Sequence, residues 1–125
     1  MRFQILLVVL ALLFCFGCDQ KASPEVIPVT KSELLVVLEH EDVQLVDVRR
    51  PEEYDLGHIS GAININILDS EGFEKGAASL DKQKPVYIYC QAGKRSKKAS
   101  EKLKAMGFTA IYDYSDGYGS WEQEN

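Results

Sequence analysis

Apolar and polar positions fall into three kinds of pattern along this chain. Residues 5–16 are apolar throughout, and the chain turns polar at Asp19-Gln20-Lys21, just after Gly17-Cys18. Residues 19–29 are mixed, with Ser23, Pro24 and Pro28, and read as a flexible tether. Thr30 and Glu33 have capping-box spacing ahead of Leu34, Leu35, Val37 and Leu38, which predicts a short helix. Val43 to Val48 reads as a buried strand, stopped by Arg49-Arg50-Pro51. Pro51-Glu52-Glu53-Tyr54 suits a first helical turn, with proline at the start and acids at the positive dipole end. Gly57, His58 and Gly61 mark a turn into a second strand, Ala62 to Ile65.

The second half of the chain continues the alternation. Residues 67–80 form a mixed, partly helical segment that Gly72 and Gly76 are expected to break. Val86-Tyr87-Ile88-Tyr89 is a strand set off by Pro85. Ser96 to Met106 has helical spacing, with Ala99, Leu103 and Met106 on one face and Gly107 at its end. Ala110 to Tyr114 is a further strand, and Gly117 to Trp121 a loop or short helix. Strands alternating with helices predict an α/β fold, a parallel sheet flanked by helices. Neither an internal repeat nor a low-complexity tract interrupts it.

The amino terminus reads as a targeting segment. One positive charge at Arg2, an apolar run shorter than the roughly 20 residues of a spanning helix, and a small residue at its end describe a secretory signal over residues 1–17. Gly17-Cys18 resembles a bacterial lipoprotein lipobox, although Cys15 stands where that family usually has leucine. The resemblance implies that Cys18 becomes the first mature residue and carries lipid. Acyl chains there hold a protein to a membrane at about 0.8 kcal/mol per buried methylene. Asp19 resembles a retention signal of some inner-membrane lipoproteins. The expected organisation is a signal peptide at 1–17, a lipidated tether at 18–29 and one domain at 30–125, long enough to bury a core without disulfides.

Composition and charge narrow the partners. Hydrophobic residues make up 46% and charged residues 26% of the chain, as in an ordinary globular domain. The formal charge is −5, and removal of residues 1–17 takes away Arg2 and no acid, which makes it −6. That disfavours nucleic acid and anionic membrane surfaces as main partners. The positive charge that remains is gathered in one place: Lys94, Arg95, Lys97, Lys98, Lys102 and Lys104 face only Glu101.

Cysteine usage points to chemistry. With Cys15 in the signal and Cys18 lipidated, Cys90 stands alone in the domain. A lone thiol outside the cytoplasm is either buried and inert or reactive. The residues that follow favour the second reading. Cys90-Gln91-Ala92-Gly93-Lys94-Arg95-Ser96 lies between a buried strand and a basic helix, where α/β sheets place their ligands. A loop curled around the sulfur aims backbone N–H groups inward as an anion nest. The following helix adds its positive end, Gly93 allows a backbone angle that other residues resist, and Lys94 and Arg95 add full charges. Together these favour a thiolate, an anionic substrate such as thiosulfate, and a persulfide.

This loop resembles the rhodanese active-site loop, C-x-x-G-x-R-S. Val46 to Tyr54 resembles that family's D-x-R-x-x-x-E-Y segment, and Gly57 to Asn64 its G-H-I-x-G-A-x-N segment. Asp116-Gly117 stands before Trp121 where many members have Gly-Gly, which is expected to alter the pocket rim. The resemblance covers about residues 30–123. It implies a five-stranded parallel sheet and a sulfurtransferase that moves sulfane sulfur from a donor to a nucleophilic acceptor through a persulfide on Cys90. Gln91, Ala92, Gly93, Lys94, Arg95 and Ser96 would bind the substrate, with Asp47 and Arg49 supporting the pocket.

Individual side chains carry specific expectations. Arg95 either faces the sulfur or pairs with an acid and braces the loop; the family likeness makes Asp47 the candidate acid. Lys94 projects to solvent, where it recruits anions. His58 is favoured as a structural hydrogen-bonding residue over a catalytic base. Two histidines and one free thiol offer no metal-site spacing, and no cofactor is expected. The expected partners are a small anionic sulfur donor and a thiophilic acceptor, with a membrane reached through lipid. Two alternatives share this architecture or loop. The related cell-cycle phosphatase type has H-C-x5-R, whereas here Cys90 and Arg95 give C-x4-R and Tyr89 replaces the histidine, a smaller cradle matched to one sulfur atom. A non-turnover carrier that delivers persulfide to a partner protein uses the same loop.

Overall fold

The computed structural model describes residues 22–40 and 42–123. The signal segment 1–17, the lipidation call on Cys18 and the retention cue at Asp19 lie outside these residues. Five strands form one sheet: β1 (Val26–Pro28), β2 (Gln44–Asp47), β3 (Ile63–Asn64), β4 (Val86–Tyr89) and β5 (Ile111–Asp113). Five helices alternate with them: α1 (Lys31–His40), α2 (Pro51–Leu56), α3 (Ser70–Ala78), α4 (Lys94–Ala105) and α5 (Gly117–Gln123). The strand order is β1-β5-β4-β2-β3 and every pairing is parallel. The expected architecture is therefore observed.

Strand periodicity sorts the core onto two faces. Val46, Val86 and Ile88 point to one side, where they meet Phe73 and Ala77 of α3 and Ala99 and Leu103 of α4. Leu45, Tyr87 and Tyr89 point to the other, where they meet Leu34 of α1, with Tyr54 and Trp121 packed against them. Cys90 continues the Val86–Ile88 alternation and joins the first cluster. The sulfur thus sits at the carboxyl end of a central strand, on the face covered by α3 and α4.

Two expectations are corrected. Residues 26–28, expected within the tether, form β1 and pair with β5 through Val26–Ile111 and Ile27–Tyr112. Pro28 is tolerated because β1 is an edge strand. Gly72 and Gly76 do not break the segment at 67–80, because α3 runs through both. The Gly72 N–H is capped by Asp69 Oδ1 at 3.0 Å, and a Cβ on Gly76 would come within 2.8 Å of Ile65 Cγ2, so that glycine lets the helix lie close to the core. The α1 capping box forms as predicted: the Thr30 N–H donates to Glu33 Oε2 at 2.8 Å and the Glu33 N–H to Thr30 Oγ1 at 3.3 Å.

Candidate active site

β4 ends at Tyr89, and Cys90 opens the turn into α4. The thiol is 1% exposed, and the Gly93 N–H donates to Sγ at 3.0 Å. Gly93 takes φ +96°, which only glycine adopts readily, and a Cβ there would stand 2.5 Å from the Ser115 carbonyl oxygen. That turn aims the Gly93 amide back at the sulfur three residues before it. Inside the first turn of α4, buried Ser96 donates through Oγ to the Gly93 carbonyl at 3.1 Å, and Ser100 Oγ donates to the Ser96 carbonyl at 2.9 Å.

The back of the loop is held by α5. The Tyr118 N–H donates to the Cys90 carbonyl at 2.8 Å and the Gly119 N–H to the Gln91 carbonyl at 3.2 Å. Gly117, with φ +77°, is buried so close to the Cys90 and Gln91 carbonyls that a Cβ would overlap them. At the Asp116-Gly117 departure from Gly-Gly, then, the second glycine keeps a packing role, while Asp116 is exposed.

A second support comes from β2. Asp47 and Arg49 are both buried, with Arg49 Nη2 2.7 Å from Asp47 Oδ2. Arg49 also donates through Nη1 to Gln91 Oε1 at 3.1 Å and through Nη2 to the Gly57 carbonyl at 2.7 Å, and its guanidinium lies 4.3 Å from the Tyr118 ring centroid. Burial works against this charge, but the Asp47 carboxylate more than offsets it and holds the Arg49 pKa above its ordinary value. Arg49 therefore links β2, the turn after α2, the Cys90 loop and α5. Tyr89 accepts a hydrogen bond from the Ile59 N–H at 3.0 Å, and burial pushes its hydroxyl pKa up, so it stays neutral.

Arg95 does not pair with Asp47, whose carboxylate is engaged by Arg49. Its Nη1 and Nη2 lie 2.6 and 2.9 Å from the two carboxylate oxygens of Glu53 in α2. The Arg95 hydrogen bonds hold the Glu53 pKa down at about 2, and Glu53 in turn raises that of Arg95. Of the two roles left open for Arg95, the structure shows the brace. His58 Nδ1 lies 2.9 Å from the Tyr54 carbonyl oxygen, and its ring stacks on Tyr54 at 3.7 Å, as expected of a structural residue.

The mouth opens into a depression of about 670 Å³ lined by Arg50, Glu53, Leu68, Cys90, Gln91, Ala92, Lys94 and Arg95. Five of the predicted site residues meet there: Cys90, Gln91, Ala92, Lys94 and Arg95. Gly93 and Ser96 shape the loop from within, and Asp47 and Arg49 stand behind it. Sequence reasoning missed Arg50, Glu53 and Leu68. Glu53 was legible as part of the E-Y motif, but no sequence signal set Arg50 or Leu68 on the pocket wall. Among the described residues no cluster of three or more His, Cys, Asp or Glu side chains is placed to hold a metal ion.

The family model described as a rhodanese-like domain matches residues 30–124. The chain belongs to the rhodanese family. Among curated members it is 30% identical over 94 residues to the thiosulfate sulfurtransferase GlpE of Shewanella oneidensis, covering 75% of this chain and 90% of that one. It is 40% identical over 78 residues to YqhL of Bacillus subtilis, an uncharacterised protein of which the match covers 60%, against 62% of this chain. It is 33% identical over 81 residues to the putative sulfur carrier protein YrkF of the same organism, covering 65% of this chain and 42% of that one. Among solved structures, a human single-domain sulfurtransferase superposes with a TM-score of 0.69 at 25% identity, covering 81% of this chain and 99% of the human one. This rhodanese domain thus has both sulfurtransferases and a putative sulfur carrier among its relatives.

Proposed function

We propose that this rhodanese is a sulfurtransferase that moves sulfane sulfur from an anionic donor such as thiosulfate to a nucleophilic acceptor through a persulfide on Cys90. The observation that carries the reading is the Gly93 N–H directed at a buried sulfur on the floor of a pocket with cations at its rim. In the first half-reaction the Cys90 thiolate attacks the outer sulfur of thiosulfate. A new S–S bond forms, the donor's S–S bond breaks, and sulfite leaves with the electron pair. In the second, an acceptor such as cyanide or a thiolate attacks the terminal sulfur and returns Cys90 as thiolate. The amide at the sulfur stabilises negative charge in both states, and the brace of Arg95 on Glu53 keeps the loop in place between them.

The amino-terminal residues support a location for this chemistry: an exported lipoprotein, held by lipid on Cys18 at the extracytoplasmic face of a membrane. The alternative, a carrier that hands its persulfide to a partner protein without turning over small acceptors, is favoured by the likeness to the putative sulfur carrier protein. A thiosulfate-to-cyanide assay separates the two. Thiocyanate production lost in Cys90→Ser supports the enzyme. A persulfide on Cys90 that forms but transfers only to a protein supports the carrier. Intact mass measurement of the mature protein after thiosulfate treatment, seeking one added sulfur on Cys90 and acyl groups on Cys18, tests the site and the anchor together.

A further inference from the structure

The cations of α4 divide into two kinds. Arg95 is held by Glu53, Lys102 donates to Ser70 Oγ at 3.0 Å and lies over the Phe73 ring, and Lys104 stands 3.8 Å from Glu101. Lys94, Lys97 and Lys98 are exposed, and none is ion-paired with an acid among the described residues. Their spacing of three and four residues puts them on one face at the start of the helix.

That placement runs against the helix. A helix start carries partial positive charge and favours acids, yet α4 has no acid in its first turn. Three cations there repel the dipole and one another, and an element that breaks a local rule in this way marks function rather than stability. The placement also runs against the rest of the chain: the expected mature form, at −6, would stand at −9 without these three lysines. Lys94 lines the depression in front of Cys90, but Lys97 and Lys98 do not. They continue along α4, which rises about 6 Å over four residues, outside the space that a small anion over the sulfur occupies. A ligand that meets all three lysines has one part in the depression and the rest along the helix.

Resting on the sulfurtransferase reading, we propose that Lys94, Lys97 and Lys98 form a docking strip for a sulfur-accepting protein that presents a cysteine thiolate on an acidic segment. The thiolate enters the depression while acidic side chains beside it pair with the lysines. It attacks the terminal sulfur of the Cys90 persulfide. A new S–S bond forms on the partner, the bond between Cys90 Sγ and that sulfur breaks, and Cys90 leaves as thiolate with the electron pair. The lysines steer the encounter and offset the repulsion between two anionic sulfurs. Nucleic acid, the other polyanion that a basic strip can meet, is disfavoured by the acidic remainder of the chain.

The test uses the full chain with thiosulfate as donor and two acceptor peptides. Each peptide has one cysteine, flanked by glutamates in one and by glutamines in the other, and its gain of one sulfur is read by mass. The glutamate peptide is expected to have the higher kcat/KM, by roughly tenfold at low salt, with the margin shrinking between about 0.02 and 0.15 M salt. K97E/K98E is expected to erase or reverse that preference. Acids suit the start of α4, so this variant folds, and its thiocyanate formation from cyanide should change by less than about twofold. Equal kcat/KM for the two peptides, or a preference that survives K97E/K98E, overturns the inference. So does an oligothymidylate that inhibits transfer to the glutamate peptide more strongly than a thiol-free glutamate peptide of equal charge, because the strip is then a nucleic-acid site. If the wild-type chain transfers sulfur from thiosulfate to neither cyanide nor either peptide, it is the sulfurtransferase reading that fails.

Discussion

Arg95 pairs with Glu53 beside the sulfur, closing a two-pronged ion pair between α4 and α2 with oxygens at 2.6 and 2.9 Å. The sequence separates the pair by 42 positions, and the contact ties the first turn of the helix after Cys90 to the helix after β2. Because Arg95 holds the Glu53 pKa down from 4.5 to about 2, ionised Glu53 favours the folded state. That contribution is complete above pH 4.5 and is lost as pH falls through about 2. Glu53→Gln is therefore expected to lose about 1–2 kcal/mol of stability at pH 7, with the pair only partly buried and partly screened. The gap to the wild type should narrow as pH falls from 4.5 towards 2. Urea unfolding across that range checks it, and a gap independent of pH would mean that the ion pair is not the source.

Two glycines with left-handed backbones make a matched pair for testing how the loop is held. Gly117 and Gly61 have φ values of +77° and +85°, so alanine is strained at both. Only Gly117 is also packed against the Cys90 and Gln91 carbonyls; Gly61 faces open space. Gly61→Ala should cost about 1 kcal/mol and leave sulfur transfer intact. Gly117→Ala has to move either α5 or the Cys90 loop, and should cost roughly 2–4 kcal/mol along with most of the transfer rate. Equal effects on rate would show that α5 is not what positions the sulfur.

These contacts mark how far the sequence could be read. Motifs confined to one stretch were legible, because local chemistry sets them: the Thr30–Glu33 box, the Val86–Tyr89 strand and the turn at Gly93. The sheet was legible too, since alternating elements leave few topologies. Pairings across the chain were not. Asp47 ends β2 and Glu53 lies in α2, and only the packing of these elements against the Cys90 loop decides which arginine each acid meets. Arg49 and Arg50 are neighbours in sequence, yet one is buried just after β2 while the other lies exposed at the rim. β1 was read as tether because a three-residue edge strand containing proline has no periodicity to detect.

The buried pair behind the loop yields a prediction in the opposite direction from a simple deletion. Arg49 and Asp47 are 2% and 0% exposed, and Arg49 also satisfies Gln91 and the Gly57 carbonyl. Arg49→Met leaves the Asp47 carboxylate buried without its counter-charge, which should cost about 3–5 kcal/mol. The double variant D47N/R49M removes that stranded charge and should recover part of the loss, although Gly57 and Gln91 remain without their donor. A double-variant cycle by urea unfolding measures the coupling. If the double variant is less stable than R49M alone, the stranded carboxylate is not the main cost.

Asp113 tests the floor beneath α4. It ends β5, 7% exposed, and its Oδ1 has no hydrogen-bond partner among the described residues. Burial raises its carboxyl pKa above the ordinary 3.8, and the Ser96 hydroxyl only partly offsets this. The sign is the reverse of Glu53. A carboxyl that binds its proton more tightly when folded destabilises the native state once ionised, and that cost fades as pH falls through the raised value towards 3.8. Asp113→Asn, which removes the charge and keeps the shape, is therefore expected to be more stable than the wild type at pH 7 and to lose that advantage on acidification. The Ser96 turn leads directly into Gly93, whose amide reaches the sulfur, so the transfer rate reports in parallel whether the carboxylate also shapes the loop. A variant less stable than the wild type at pH 7 would mean that this charge has a compensating partner under α4 and is not a residual cost of the fold.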